Sequence, residues 1–183
     1  MKTRKTEVAS LCQAGAMSHI NPGVKPLLSM VLDEGVFTLR RAHWEDLPAL
    51  LRLLAADQLG SSRENADDVG PYLQAFQQIN EDPAQLLVVG HLNGACVATF
   101  QLSFIPGLAR KGSLRCQIEA VRVAAELRDH GVGAAMMQWA IEEARNRGCT
   151  LVQLTSDKSR TDAHRFYERL GFVASHEGMK LAL

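Results

Sequence analysis

Residues 118–134 read Ile118-Glu119-Ala120-Val121-Arg122-Val123-Ala124-Ala125-Glu126-Leu127-Arg128-Asp129-His130-Gly131-Val132-Gly133-Ala134. The β-branched run of Ile118, Val121 and Val123 predicts the end of a strand, Leu114 to Val123. A helical pattern from Val132 to Arg147 opens directly behind Arg128-x-x-Gly131-x-Gly133. Met137, Ala140, Ile141 and Ala144 form its apolar stripe and Gly148 its stop. A strand that empties into a glycine-bearing turn at a helix start gathers unpaired N–H groups at the positive end of the helix dipole. Such a turn is a ready anion site, most naturally for phosphate. Glycine also serves plain strand-to-helix packing, and Gly131-Val132-Gly133 alone leaves both readings open. The triphosphate loop Gly-x-x-x-x-Gly-Lys-Ser/Thr occurs nowhere in the chain. The dinucleotide fingerprint fails because Met136 stands where its last glycine belongs.

Outward from this turn, alternation predicts a first strand at Val36–Arg41 and a hairpin of Gln85–His91 with Ala95–Phe104, joined through Asn93-Gly94. Helical spacing covers His43–Asp57 and, more weakly, Val69–Asn80. A basic loop, Pro106 to Gly112, follows the hairpin. After the long helix come a strand at Thr150–Thr155 and a helix opened by a Ser159-x-x-Asp162 capping box and closed at Leu170. Closing strands are expected at Phe172–Ser175 and Met179–Leu183. This order implies an α/β (mixed α+β) class, with a mixed, mostly antiparallel sheet covered by helices.

The chain has 183 residues, 46% hydrophobic and 22% charged, which suits one soluble domain with a sizeable core. Residues 36–183 are read as that domain, and 1–35 as an N-terminal extension, expected to be disordered. Lys2, Arg4 and Lys5 precede an apolar stretch, but Glu7 and Gln13 interrupt it, against a signal peptide. A formal net charge of zero gives no support to nucleic acid or membrane partners, and no apolar run approaches the roughly 20 residues of a membrane span. Cys12, Cys96, Cys116 and Cys149 form no Cys-x-x-Cys pair and read as reduced thiols of a cytoplasmic protein. No metal site is expected.

The chain resembles the GNAT superfamily of acyl-CoA-dependent N-acyltransferases. Two blocks carry the resemblance: Arg128-Asp129-His130-Gly131-Val132-Gly133, and Ala163-His164-Arg165-Phe166-Tyr167-Glu168-Arg169-Leu170-Gly171-Phe172. The resemblance implies a twisted sheet of six to seven strands, splayed at the fourth, with about four helices, and acetyl-CoA as co-substrate. It implies that residues 128–134, Ala134 included, wrap the pyrophosphate and that Val121, Arg122 and Val123 line the pantetheine. Phe166 packs inward beside the coenzyme. Asp157 stands where asparagine is common in the family; an ionised side chain accepts but cannot donate a hydrogen bond. Tyr167 matches the family's general acid. Glu119 matches a strand position where the family often carries a glutamate base, and period-two geometry sets it on one face with Val121 and Val123. His164, one turn before Tyr167, reads as a partly exposed helix histidine ahead of a proton relay.

The acceptor implied is the primary amine of a small molecule, and the resemblance leaves a homodimer open. Residues 57–82 hold six acids against one base, Arg63, which suits a cationic amine or a plain solvated face. The run Asp162–Tyr167 is also similar to that of aminoalkylphosphonate acetyltransferases, which implies an anionic amine with Arg110, Lys111 or Arg115 as anchor. Two further readings stay open: a non-catalytic acyl-CoA sensor, and a protein N-terminal or lysine acetyltransferase.

Overall fold

The computed structural model describes residues 25–56, 63–65 and 68–182. Six strands form one sheet in chain order: β1 (Leu28–Leu32), β2 (Gly35–Arg41), β3 (Gln85–Leu92), β4 (Ala95–Pro106), β5 (Leu114–Val123) and β6 (Cys149–Leu154). The first five are antiparallel neighbours; β6 runs parallel to β5. Helices α1 (Leu47–Ala55) and α2 (Gly70–Glu81) link β2 to β3, α3 (Val132–Asn146) links β5 to β6, and α4 (Thr161–Arg169) follows β6. The β5–α3–β6 unit is the crossover that a parallel pair requires.

Two apolar layers hold these helices. Leu47, Leu50, Leu51 and Phe76 pack from α1 and α2 onto Val89. On the opposite face Met136, Met137, Ala140 and Ala144 of α3 are buried against Phe100, Leu102, Phe104, Cys116 and Ile118. Of the stripe read from sequence, Met137, Ala140 and Ala144 are buried and Ile141 is half-buried, while Met136 joins the buried face; Gly148 ends the helix in the left-handed region (φ 78°). Asn93 (φ 50°) and Gly94 (φ 81°) make the tight β3–β4 turn that their sequence predicts.

Three expectations fail. The segment read as an extension contains β1, whose Leu28–Leu32 pairs residue by residue with Leu39–Gly35; residues 1–24 lie outside the described residues. A five-residue apolar run between Pro26 and Asp33 carries a weak sequence signal, and β2 supplies the pairing that makes it a strand. Residues 172–182 form no strand, and Val173, Met179 and Leu181 stand exposed. The Ser159–Asp162 box does not form: Arg160 occupies the N-cap of α4, without a side-chain cap.

A buried ionic knot fixes the entry to α1. Arg40 on β2 donates both Nη1 and Nη2 to Asp46, each at 2.7 Å, and the His43 backbone N–H donates to the same carboxylate at 2.7 Å. His91 Nε2 lies 3.6 Å from Asp46 Oδ1. Burial alone would raise the Asp46 carboxyl, but His91, Arg40 and the His43 backbone outweigh it and hold it well below the usual carboxylate range. That stabilisation is complete above about pH 4, the unfolded value, and fades as acid protonates the folded carboxylate. Asp46→Ala is expected to lose about 3 kcal/mol by urea unfolding at pH 7. The gap to the parent should narrow steadily below about pH 4.

Candidate active site

The site is built where β5 and β6 part. Their ladder runs from Leu114–Cys149 to Ile118–Leu154 and stops there. β5 continues to Val123, still paired with β4. Among the described residues, the β6-side edge of residues 119–123 is therefore left without a strand neighbour, the kind of edge that an extended ligand can complete.

A β-bulge falls in the same stretch. Gln101 pairs with Glu119 and Thr99 with Arg122, so two steps on β4 oppose three on β5. Ala120 takes up the extra residue with φ 53°. Cross-strand partners share a face. Glu119 and Arg122 thus face the α1–α2 side with Gln101 and Thr99, whereas Val123, opposite Ala98, and Val121 pack into the α3 side core. The period-two expectation that Glu119 shares a face with Val121 and Val123 is overturned by this inserted residue. Its carboxylate stands exposed on one side of the fork, and the two valines stand on the other.

Beyond β5, Arg128 is extended (φ −67°, ψ 148°) and Asp129 (φ 66°) and Gly131 (φ 78°) are left-handed. His130 Nδ1 donates to the Arg128 carbonyl at 2.8 Å and closes the turn. Gly131 is the N-cap of α3 with no side-chain cap, and the first intrahelical bond is from Ala135 N–H to the Gly131 carbonyl. The N–H groups of Val132, Gly133 and Ala134 therefore have no acceptor within the helix. A Cβ at Gly131 would meet nothing within 4 Å, so that position is open to a ligand. A Cβ on Gly133 would lie 3.4 Å from Phe166 and 3.9 Å from Val123, so the turn, β5 and α4 meet there. An uncapped helix start, an open left-handed glycine and a free strand edge fit a diphosphate joined to an amide-bearing arm. Arg128 stands exposed at the mouth of the turn.

Tyr167 lies on the α3 side with Val121, Val123 and Phe166. Its ring meets Phe166 and Phe172 edge-on at centroid distances of 5.2 and 5.9 Å. Burial pushes its phenol up, while Arg160 and Arg122 pull the other way. The phenol is thus held protonated, with cations near enough to steady the phenolate. Three residues read from sequence have other work. Asp157 Oδ1 accepts from Ser159 N–H (3.0 Å) and Ser159 Oγ–H (2.7 Å), a local turn before α4 that occupies this oxygen. Arg122 Nη1 donates to the Val121 carbonyl at 2.9 Å, so that carbonyl already has a donor. His164 Nε2 donates to the Asp157 carbonyl at 2.9 Å, an anchoring bond.

Among the described residues, burial raises all three cysteine thiols, Cys149 included, which disfavours the nucleophilic thiolate. Burial pushes Cys96 to about 11 and Cys116 to about 12, and Cys116 is inaccessible. Sequence reading missed the side chains around Glu119: Gln101, Ser103, Gln117 and Gln153 line the same face. Their signal was the polar half of the alternation in β4, β5 and β6.

The chain belongs to the acetyltransferase (GNAT) family, whose model matches residues 42–172. An aminoalkylphosphonate N-acetyltransferase of Salmonella typhimurium is 40% identical over 60 residues, 33% of this chain and 39% of that protein. A structure described as a transcriptional regulator from Bacillus halodurans superposes with TM-score 0.78 at 43% identity, over 80% of this chain and 99% of that one. A Clostridium acetobutylicum structure with acetyl-CoA shares the fold: TM-score 0.65, 19% identity, 80% of this chain and 96% of that one. No helix among the described residues is long and apolar enough to cross a membrane.

The bulge is directly testable. Ala120→Gly should change stability by less than about 1 kcal/mol, because relief of left-handed strain offsets the freedom glycine gains when unfolded. Ala120→Val should lose about 1–3 kcal/mol in thermal unfolding, since a β-branched residue resists positive φ.

Proposed function

We propose that this enzyme moves an acetyl group from acetyl-CoA to the primary amine of a small molecule by direct attack. The observation that carries the reading is the fork between β5 and β6, with Glu119 on one face and Tyr167 on the other. In this reading the free edge of β5 beyond Ile118, with Val121 and Val123, holds the pantetheine arm. The N–H groups of Val132, Gly133 and Ala134, with Arg128, hold the pyrophosphate.

A primary ammonium with a pKa of roughly 10 must lose a proton before its nitrogen attacks. Glu119 accepts that proton, directly or through one water. The nitrogen lone pair forms the new C–N bond at the thioester carbonyl carbon, the C–S bond breaks, and its electron pair leaves on sulfur. Tyr167 gives its phenolic proton to that sulfur, so the coenzyme departs as a thiol, and Arg122 and Arg160 steady the transient phenolate until the second proton shed by the amide nitrogen passes through water to restore the phenol. No acyl-enzyme is required, in keeping with the raised cysteine thiols. Similarity to the aminoalkylphosphonate N-acetyltransferase supports a small acceptor over a protein terminus or lysine.

Tyr167→Phe should lower kcat about 10²–10³-fold in a thiol-release assay on an amine panel, with acetyl-CoA affinity by calorimetry unchanged. Because burial raises its phenol, wild-type turnover should not fall with rising pH until beyond about pH 10. Glu119→Gln should cut kcat by about 10² without weakening acetyl-CoA. Full activity in both variants would remove these roles. Coenzyme binding without thiol release from any amine would favour an acyl-CoA sensor.

A further inference from the structure

On the α1–α2 side of the sheet, the polar half of four strands comes into register. β3 brings Gln85, β4 Gln101 and Ser103, β5 Arg115, Gln117 and Glu119, and β6 Gln153. Ser103 stands opposite both Gln85 and Gln117, Gln117 opposite Gln153, and Gln101 opposite Glu119. Elsewhere this face is apolar where α1 and α2 cover it, through Leu87 and Val89. A polar floor at this one corner costs burial energy unless hydrogen bonds offset it.

Those bonds leave a remainder. Gln101 Nε2 and Ser103 Oγ both donate to Gln85 Oε1, at 3.0 and 2.7 Å. Gln153 Nε2 donates to Gln117 Oε1 at 2.7 Å. Each carboxamide has an acceptor oxygen and two N–H donors, so this single bond leaves the Gln117 amide N–H groups and the Gln153 oxygen unspent. Gln117 is only 9% exposed. The pair sits at the root of the fork, one ladder step before Ile118–Leu154, and Glu119 follows on the same face roughly 7 Å further along the strand. One step the other way, Arg115 Nε is buried without a hydrogen-bond partner.

We propose that the Gln117–Gln153 pair is the acceptor-recognition element of this enzyme. While Glu119 meets the amine nitrogen, the Gln117 N–H groups donate to an oxygen that lies three or four bonds from that nitrogen. The short step between the two side chains selects compact bifunctional amines over long polyamines. Arg115 lies along the same face to strengthen the grip when that oxygen is anionic. This inference rests on the acetyl-transfer reading and adds the acceptor class to it.

The test is thiol release with acetyl-CoA and four acceptors: propylamine, ethanolamine, glycine and 2-aminoethylphosphonate. In the parent enzyme the oxygen-bearing amines should exceed propylamine in kcat/KM by about tenfold or more, the size of one good hydrogen bond. Gln117→Leu should erase that advantage, mainly through the acceptor KM, and leave propylamine and the acetyl-CoA KM within about twofold. Gln153→Leu, which frees rather than removes the Gln117 carboxamide, should give a smaller loss with the same selectivity. Arg115→Gln should weaken only the carboxylate and phosphonate arms, which separates an oxyanion from a hydroxyl. Calorimetry with acetyl-CoA reports whether each variant is folded, and Gln117→Met replaces any that is not. Equal use of propylamine and the oxygen-bearing amines would overturn the proposal, as would a uniform loss across all acceptors in folded variants. No thiol release from any amine, with coenzyme still bound, would overturn the acetyl-transfer reading and the inference together.

Discussion

The parting of β5 from β6 after Ile118 and Leu154 is the constraint on which the rest of the site depends. It exposes a strand edge in the middle of an otherwise paired sheet, and it does so beside an uncapped helix start. An edge strand usually invites wrong partners. Here the exposed length is short, and β5 stays anchored to β4 on its other side through Val123. Inserting one residue at Ala120 then turns the strand over, so that consecutive parts of β5 serve opposite faces. One strand and the helix packed behind it thereby set Glu119 and Tyr167 on opposite faces of the fork, the arrangement on which the proposed transfer rests.

The two apolar layers do different jobs around this fork. On the α3 side, Gly133, Val123 and Phe166 bring turn, strand and α4 together so closely that a Cβ on Gly133 would touch both side chains, and the Arg128–Gly133 turn and the Tyr167 helix share that junction. On the other side, α1 and α2 rest on a smaller cluster, and the Arg40–Asp46 pair with His91 locks the start of α1 to β2 and β3. The lock matters because α1 packs on β4 and β5, the strands that lead into the fork.

Much of this was legible in the sequence. The long helix, the Asn93-Gly94 hairpin and the Arg128–Gly133 turn follow from periodicity and backbone freedom, which are local properties. The bulge was not legible, because a left-handed alanine leaves no mark such as glycine would, and so the face of Glu119 came out reversed. Leu28–Leu32 was passed over because its pairing with β2, rather than any pattern of its own, makes it a strand. Met179–Leu183 alternates convincingly, yet its described residues pair with nothing, so alternation is necessary for a strand without being sufficient. Asp157 illustrates the same limit: its Oδ1 finds Ser159 as a partner only once the turn before α4 has formed.

Amide hydrogen exchange with and without coenzyme A tests the central claim most directly. If the open edge of β5 and the start of α3 hold the coenzyme, its addition should slow exchange in peptides spanning 119–123 and 131–135 while leaving α1 and α2 nearly unchanged. Slowing confined to α1 and α2, or no slowing at either segment under saturating coenzyme, would contradict it.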